Sequence, residues 1–255
     1  MTPREAATVM LVRDAPEFEV FMLRRNPTAD FVAGAFVFPG GALDAEDRDR
    51  EWAARCPDRS DADASALLGL GRGGLGYWVA AVRETFEEAG VLLARSARTG
   101  CAVDGEHHDL AVARDALNRG ETTFLDVARD ADLMLDAGAI HPVAHWVTPP
   151  GSHRRYDTRF FLAAAPEGHA YTHDDGENVA ARWLRPAEAL DALARNEIDL
   201  ILPTVRSLAL LARFDRAADL LDVVGRATRR PPGLVTESAG GTRIALPFDT
   251  DEGAA

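Results

Sequence analysis

Arg83-Glu84-Thr85-Phe86-Glu87-Glu88-Ala89-Gly90-Val91 decides the fold, together with the turn Phe38-Pro39-Gly40-Gly41 that precedes it. On a helix, Glu84, Glu87 and Glu88 stand at i, i+3 and i+4, so three carboxylates leave the same side. Like charges that close resist joint ionisation. Either their pKa values rise or a divalent cation compensates them, and hard oxygen donors suit Mg²⁺ or Mn²⁺ better than zinc. The ordinary alternative is a solvated acidic face in which Arg83 and Glu87 form an i, i+4 pair. Residue frequencies weigh against it, since such a pattern arises by accident on the order of once in ten thousand sequences.

These residues resemble the Nudix box, with residues 83–91 matching its helical half and residues 38–41 its loop half. Between the halves the family places an acidic residue, and Asp47 occupies that place here, with Glu46 and Asp44 as competitors. The gap from Asp47 to Arg83 holds 35 residues and is much longer than in the usual box, which implies an insertion. The resemblance implies an α/β fold: a Nudix-type α/β/α sandwich with a mixed β-sheet, a helical and loop insertion inside the box, and an appended C-terminal helical segment. It further implies Glu87 and Glu88 as the principal metal ligands, Glu84 as a further ligand or the water-activating base, and Arg83 as the holder of a carboxylate. The carbonyl of Gly40 would also ligate metal. Family members often recruit a later acid, for which Glu177 in Asp174-Asp175-Gly176-Glu177 is the candidate beside the plain reading of an acidic turn.

Two arginine groups suit phosphate: Arg24-Arg25 before the loop, and Arg154-Arg155-Tyr156 before a later strand. With Gly41 they form the expected substrate contacts; solvated strand ends paired with nearby acids are the alternative. The run from Leu23 through the split box to His145-Trp146-Val147-Thr148-Pro149 and residues 155–161 is similar to the long-insert Nudix branch of peroxisomal-type coenzyme A diphosphatases. That resemblance implies water attack on the pyrophosphate of coenzyme A or acyl-coenzyme A. ADP-ribose, NADH and nucleotide sugars are alternatives within the class, and a non-catalytic nucleotide-sensing domain is the alternative outside it.

Composition narrows the possibilities further. A chain of 255 residues with 47% hydrophobic content can bury a large core, and one elaborated domain is the expectation. The net charge of −13 argues against a general nucleic-acid or anionic-membrane surface. All 28 basic residues are Arg, so no lysine is available for catalysis. The 2 cysteines, Cys56 and Cys101, lack zinc-ligand spacing, and no apolar run reaches the roughly 18 residues of a membrane span. The expectation is a cytoplasmic protein with a small-molecule nucleoside diphosphate partner, no nucleic acid, no membrane, and a possible homodimer.

Along the chain, residues 6–12 and 18–23 read as a strand hairpin across a turn at 14–17. The Nudix domain is expected over 1–200. Its insertion, at about 48–76, reads as a surface excursion that is partly solvated and partly a glycine-rich hinge. Residues 77–94 read as the amphipathic catalytic helix, with Val79, Val82, Phe86 and Val91 as its apolar stripe. A helical lid, in two pieces, is expected at about 108–136. Strands are expected at 144–148, 159–164 and 180–184, and Pro186 opens a helix to about 195. Residues 201–255 form the C-terminal extension, helical over 202–228 with a break near 214–215, and with one possible strand at 243–247.

Overall fold

The computed structural model describes residues 2–28, 32–105, 107–167, 171 and 178–227, and the backbone of 234–235. Ten strands are found there: β1 Arg4–Asp14, β2 Phe18–Arg25, β3 Phe36–Val37, β4 Gly40–Ala42, β5 Ala94–Ser96, β6 Leu133–Leu135, β7 His141–Val147, β8 Tyr156–Ala164, β9 Asn178–Leu184 and β10 Leu234–Val235. The helices are α1 Trp52–Arg55, α2 Asp61–Leu68, α3 Leu75–Ala89, α4 His108–Asn118, α5 Phe124–Asp130, α6 Pro186–Ala194, α7 Leu202–Leu211 and α8 Ala217–Ala227.

Strand alternation builds the layers. Ala7, Val9 and Leu11 of β1, Phe21 and Leu23 of β2, and Phe161 of β8 point into one core with α3. Their neighbours Met10, Val12, Val20, Met22, Phe160 and Leu162 point into a second core with Leu208 and Leu211 of α7 and Leu220 and Val224 of α8. A period of two with both faces apolar is what a sheet covered on both sides requires. The result is an α/β/α sandwich around a mixed sheet, in which β1 runs parallel to β8 and antiparallel to β2 and β4.

One irregularity positions the site. β1 shares a single edge between two partners: its end pairs with β2 (Val12 opposite Val20) and its start with β4 (Ala6 opposite Ala42, Thr8 opposite Gly40). The loop at 38–41 passes through this division and is pinned by the Val9 N–H to Pro39 O bond of 2.8 Å. Leu43 N–H bonds Glu5 O at 2.9 Å. In an alternating antiparallel ladder Gly40 is therefore out of phase, and its N–H and C=O turn away from β1.

Several expectations need correction. The insertion is partly solvated, as expected, but it also enters the core. Trp52, Cys56, Ala64 and Leu68 are buried in the α3 core, and Arg55 Nη1 donates to Ala128 O and Leu133 O at 2.9 and 3.1 Å. The end of the glycine stretch is closely packed: a Cβ on Gly74 would lie 2.4 Å from the Ser65 nitrogen, whereas Gly69 and Gly71 face open space. The insertion also ends sooner than residue 76, because the catalytic helix starts at Leu75. That helix stops at Ala89, not 94, with Gly90 left-handed at φ 68° as its cap. Every α3 residue except Glu87 is buried, so the helix is covered all round instead of showing an open carboxylate face. The two helical pieces are present within 108–136, but β6 at their end pairs with β5. The expected strand at 243–247 lies outside the described residues.

Candidate active site

Arg83 is the hub. Its Nε and Nη2 each lie 3.0 Å from one oxygen of Asp47, a bidentate pair. Nη2 also donates to Ala42 O at 2.9 Å, and Nη1 donates to Glu84 Oε1 at 2.8 Å and to both Glu87 oxygens at 3.3 Å. Asp47 is 3% exposed, and its Oδ2 also accepts from the Asp44 N–H at 2.8 Å. Of the three acids competing for the split box position, Asp47 is the one paired with Arg83. Glu46 is exposed and Asp44 stands 3.8 Å from the guanidinium.

The loop meets the helix through the two glycines. Gly40 N–H donates to Glu88 Oε2 at 2.8 Å. A Cβ on Gly41 would lie 2.5 Å from Glu84 Oε1, so the missing side chain is the space the carboxylate fills. A Cβ on Gly40 would meet Ala7 O at 2.4 Å and Thr8 Cα at 2.6 Å.

The titration of these groups follows from burial. Burial raises the Glu84 carboxyl to about 8, opposed by Arg83 and reinforced by Glu87 and Asp47. Glu87 and Asp47 are also raised, again chiefly by burial and against Arg83. Burial opposes the Arg83 charge, yet Asp47, Glu84 and Glu87 together raise its pKa. Asp47, Glu84 and Glu87 thus face one guanidinium, and Glu88 stands beside them against the Gly40 N–H. This all-oxygen, negatively charged donor set fits a hard divalent cation. Among the described residues no three acids form a finished cation cage. Glu84 and Glu87 turn to Arg83 and Glu88 to the Gly40 N–H, as anions do when a guanidinium and an amide are the donors at hand.

Two clefts meet at these carboxylates, and Glu84, Glu87 and Glu88 line both. One, of about 630 Å³, is walled by the 40–42 loop, the β7–β8 connection and the start of α7, and Arg4, Arg25, Gly41, Arg154 and Tyr156 line it. The other, of about 460 Å³, lies between the insertion and the α4–α5 connection. The structure does not bring Arg24 or Arg155 into the larger cleft. Adjacent strand residues leave on opposite faces, and Arg24 is exposed with Nε donating to Gly34 O at 3.3 Å. Arg155 Nε closes the β7–β8 connection by donating to Thr148 O at 3.0 Å. Glu177 lies outside the described residues.

Three features were missed in the sequence. Asn178, fully buried at the start of β9, donates Nδ2 to Glu88 Oε1 at 3.3 Å; an amide directly after an acidic turn was the only signal. Arg114 Nε and Asn118 Nδ2 of α4 donate to Glu87 O at 2.9 and 3.3 Å, holding the end of α3. The start of α7 reaches the larger cleft because Leu200 bridges to Phe36, just ahead of the glycine loop.

A mixed sheet between two helical layers, with an Arg-Glu-Glu-Glu helix seated on a Pro-Gly-Gly loop, defines a protein of the Nudix class. Residues 72–211 match the model of the NUDT19 Nudix domain, and the chain belongs to that family. The match begins beyond the loop half of the box. The human acyl-coenzyme A diphosphatase NUDT19 is 31% identical over 81% of this chain and 64% of its own length. The chicken protein of the same name is 30% identical over 85% and 70%. The chain therefore spans about two thirds of the length of these relatives. A solved Nudix hydrolase from Alicyclobacillus acidocaldarius superposes with a TM-score of 0.73 at 27% identity, covering 87% of this chain and 96% of the other.

Proposed function

We propose that the protein is a divalent-metal-dependent diphosphatase that cuts coenzyme A or acyl-coenzyme A by water attack on the pyrophosphate. The products would be adenosine 3′,5′-bisphosphate and a 4′-phosphopantetheine. The observation that carries the reading is the seating of Glu84 and Glu88 against Gly41 and Gly40, which gathers the α3 carboxylates at the head of a cleft bearing Arg4, Arg25 and Arg154. The names of the human and chicken relatives support the substrate.

In this reading Glu87, Glu88, Glu84 and the outward-turned carbonyl of Gly40 hold Mg²⁺ or Mn²⁺. The ion, when bound, supplies charge stabilisation at the diphosphate and a more acidic water. Arg83 fixes Asp47, Glu84 and Glu87 relative to one another. Glu84 would serve as a further ligand of the ion or as the base that takes the proton from the attacking water. Arg25, Arg154 and Tyr156 contact phosphate, and Gly41 gives the substrate backbone access. Among the described residues no helix is long and apolar enough to cross a membrane, and action in the cytoplasm belongs to the same proposal.

The test is Mg²⁺-dependent product release from coenzyme A, acetyl-coenzyme A, ADP-ribose, NADH and UDP-glucose, with wild type and Glu88→Gln side by side. Cleavage of the coenzyme A compounds that Glu88→Gln lacks is the expected result. Cleavage of ADP-ribose, NADH or UDP-glucose alone replaces the substrate. Binding without cleavage of any compound favours a nucleotide sensor.

A further inference from the structure

The smaller cleft has no part in the proposed chemistry beyond its carboxylates, and one of its walls is built by Asp44, Glu46, Asp47 and, from the insertion, Trp52. Trp52 of the insertion and Phe124 of α5 stack there at 5.3 Å, with Leu117, Asn118, Thr122 and Leu125 beside them. Both clefts fall within the roughly 300–1,000 Å³ of small-molecule sites. Because Glu84, Glu87 and Glu88 line both, a diphosphate held at the carboxylates has one cleft available for each of its two substituents.

The linings differ in charge. The larger cleft carries Arg4, Arg25 and Arg154. Among the described residues of the smaller cleft Arg83 is the only base, and its donors are taken up by Asp47, Glu84, Glu87 and Ala42. Asp44 and Glu46 add negative charge at its rim. An additional phosphate would be repelled there and attracted to the other side. A chain of amides and methylenes suits it: N–H groups have carboxylates to meet, and methylenes have part-buried Leu117 beside the edge of the buried Trp52–Phe124 stack.

We propose that the cleft between the insertion and the α4–α5 connection receives the uncharged amide arm of the substrate, while the arginine-bearing cleft receives its phosphorylated nucleoside. The inference rests on the diphosphatase reading and deepens it, since it says which part of the substrate each cleft selects.

Thr122 is the position to test. It lines the cleft, is part-buried, and lies outside the carboxylate and arginine machinery. The substrates are coenzyme A and 3′-phosphoadenosine 5′-diphosphate methyl ester, which keeps the nucleoside and pyrophosphate and lacks the arm. In Thr122→Trp the KM for coenzyme A should rise about tenfold or more, while the KM for the methyl ester stays within about twofold. Thr122→Ser should match wild type on both. Equal effects on the two substrates, or none, overturn the assignment, and turnover of the methyl ester reports that the variant is folded.

A second measurement uses wild type alone. Adenosine 3′,5′-bisphosphate and 4′-phosphopantetheine should inhibit together without excluding one another, and mutually exclusive inhibition refutes separate clefts. Wild type that cleaves neither substrate defeats the diphosphatase reading itself, an outcome distinct from either of these.

Discussion

The two adjacent glycines of the loop do different work, and substitution separates them. At Gly41 an added methyl meets the end of the Glu84 side chain, a flexible group that can move. Gly41→Ala should therefore lower turnover on the order of a hundredfold by displacing a carboxylate, while thermal unfolding changes little. At Gly40 the methyl meets the backbone of Ala7 and Thr8. Gly40→Ala should cost about 1–3 kcal/mol in a denaturant titration, because the strand itself must shift. Arg83→Ala leaves Asp47 buried without its guanidinium, and a loss of about 3–5 kcal/mol is expected in the same assay. Glu84 makes a third residue-scale prediction. Its folded pKa of about 8 lies above the ordinary carboxylate value of 4.5, so the folded chain binds the proton more tightly than the unfolded one. The Glu84 contribution to stability is then fully present below about pH 4.5 and is lost as pH rises through about 8. In metal-free protein, melting temperature should fall across that window more steeply for wild type than for Glu84→Gln. Added Mg²⁺ should reverse the fall, since a ligand that binds the ionised form favours the folded state.

At the scale of elements, the insertion anchors itself in the core through Trp52, Cys56, Ala64 and Leu68. Trp52 is 1% exposed, stacks on Phe124 and donates Nε1 to Glu46 O at 3.0 Å. Trp52→Ala should cost about 3–5 kcal/mol in chemical denaturation and loosen the segment that carries Asp47. An insertion that were only a surface excursion would lose far less. The contrast marks what the sequence made legible. The carboxylate helix was readable because its chemistry needs fixed spacing on one face, and the five longer strands of the sheet, β1, β2, β7, β8 and β9, were readable from apolar runs bounded by turn residues, whereas the two- and three-residue strands β3, β4 and β10 were not. The insertion misled because Asp, Arg and Gly are abundant in it. Arg55 and Arg59 spend their charge on buried carbonyls of 128, 133 and 137, pairings across more than seventy residues that no local pattern reveals. Arg24 and Arg25 were read as a pair although strand geometry sends neighbours to opposite faces. Asn178 was invisible for the converse reason: a single amide announces nothing until the fold sets it against Glu88.

For the whole molecule, the C-terminal helices are the second wall of the sandwich. Leu208, Leu211, Leu220 and Val224 cover Met10, Val12, Val20 and Met22, the face of the central strands opposite α3. The backbone fixes the same arrangement at two further points. Ala217 N–H donates to Asp14 Oδ1 at 2.8 Å, and Phe36 N–H donates to Asp199 O at 2.9 Å as the chain enters α7. Removing residues 201–255 would expose that apolar face on strands shared with the α3 core, so the loss cannot stay local. It would also remove Ile201, Leu202, Pro203 and Thr204 from the wall of the larger cleft. The truncated chain should therefore aggregate or lose its cooperative unfolding transition in calorimetry and size-exclusion chromatography. If these helices serve mainly to join two copies, the truncated chain should instead remain a folded, cooperative monomer that retains the affinity of the larger cleft for adenosine 3′,5′-bisphosphate. The placement of α7 and α8 over a continuous buried face argues for the first outcome.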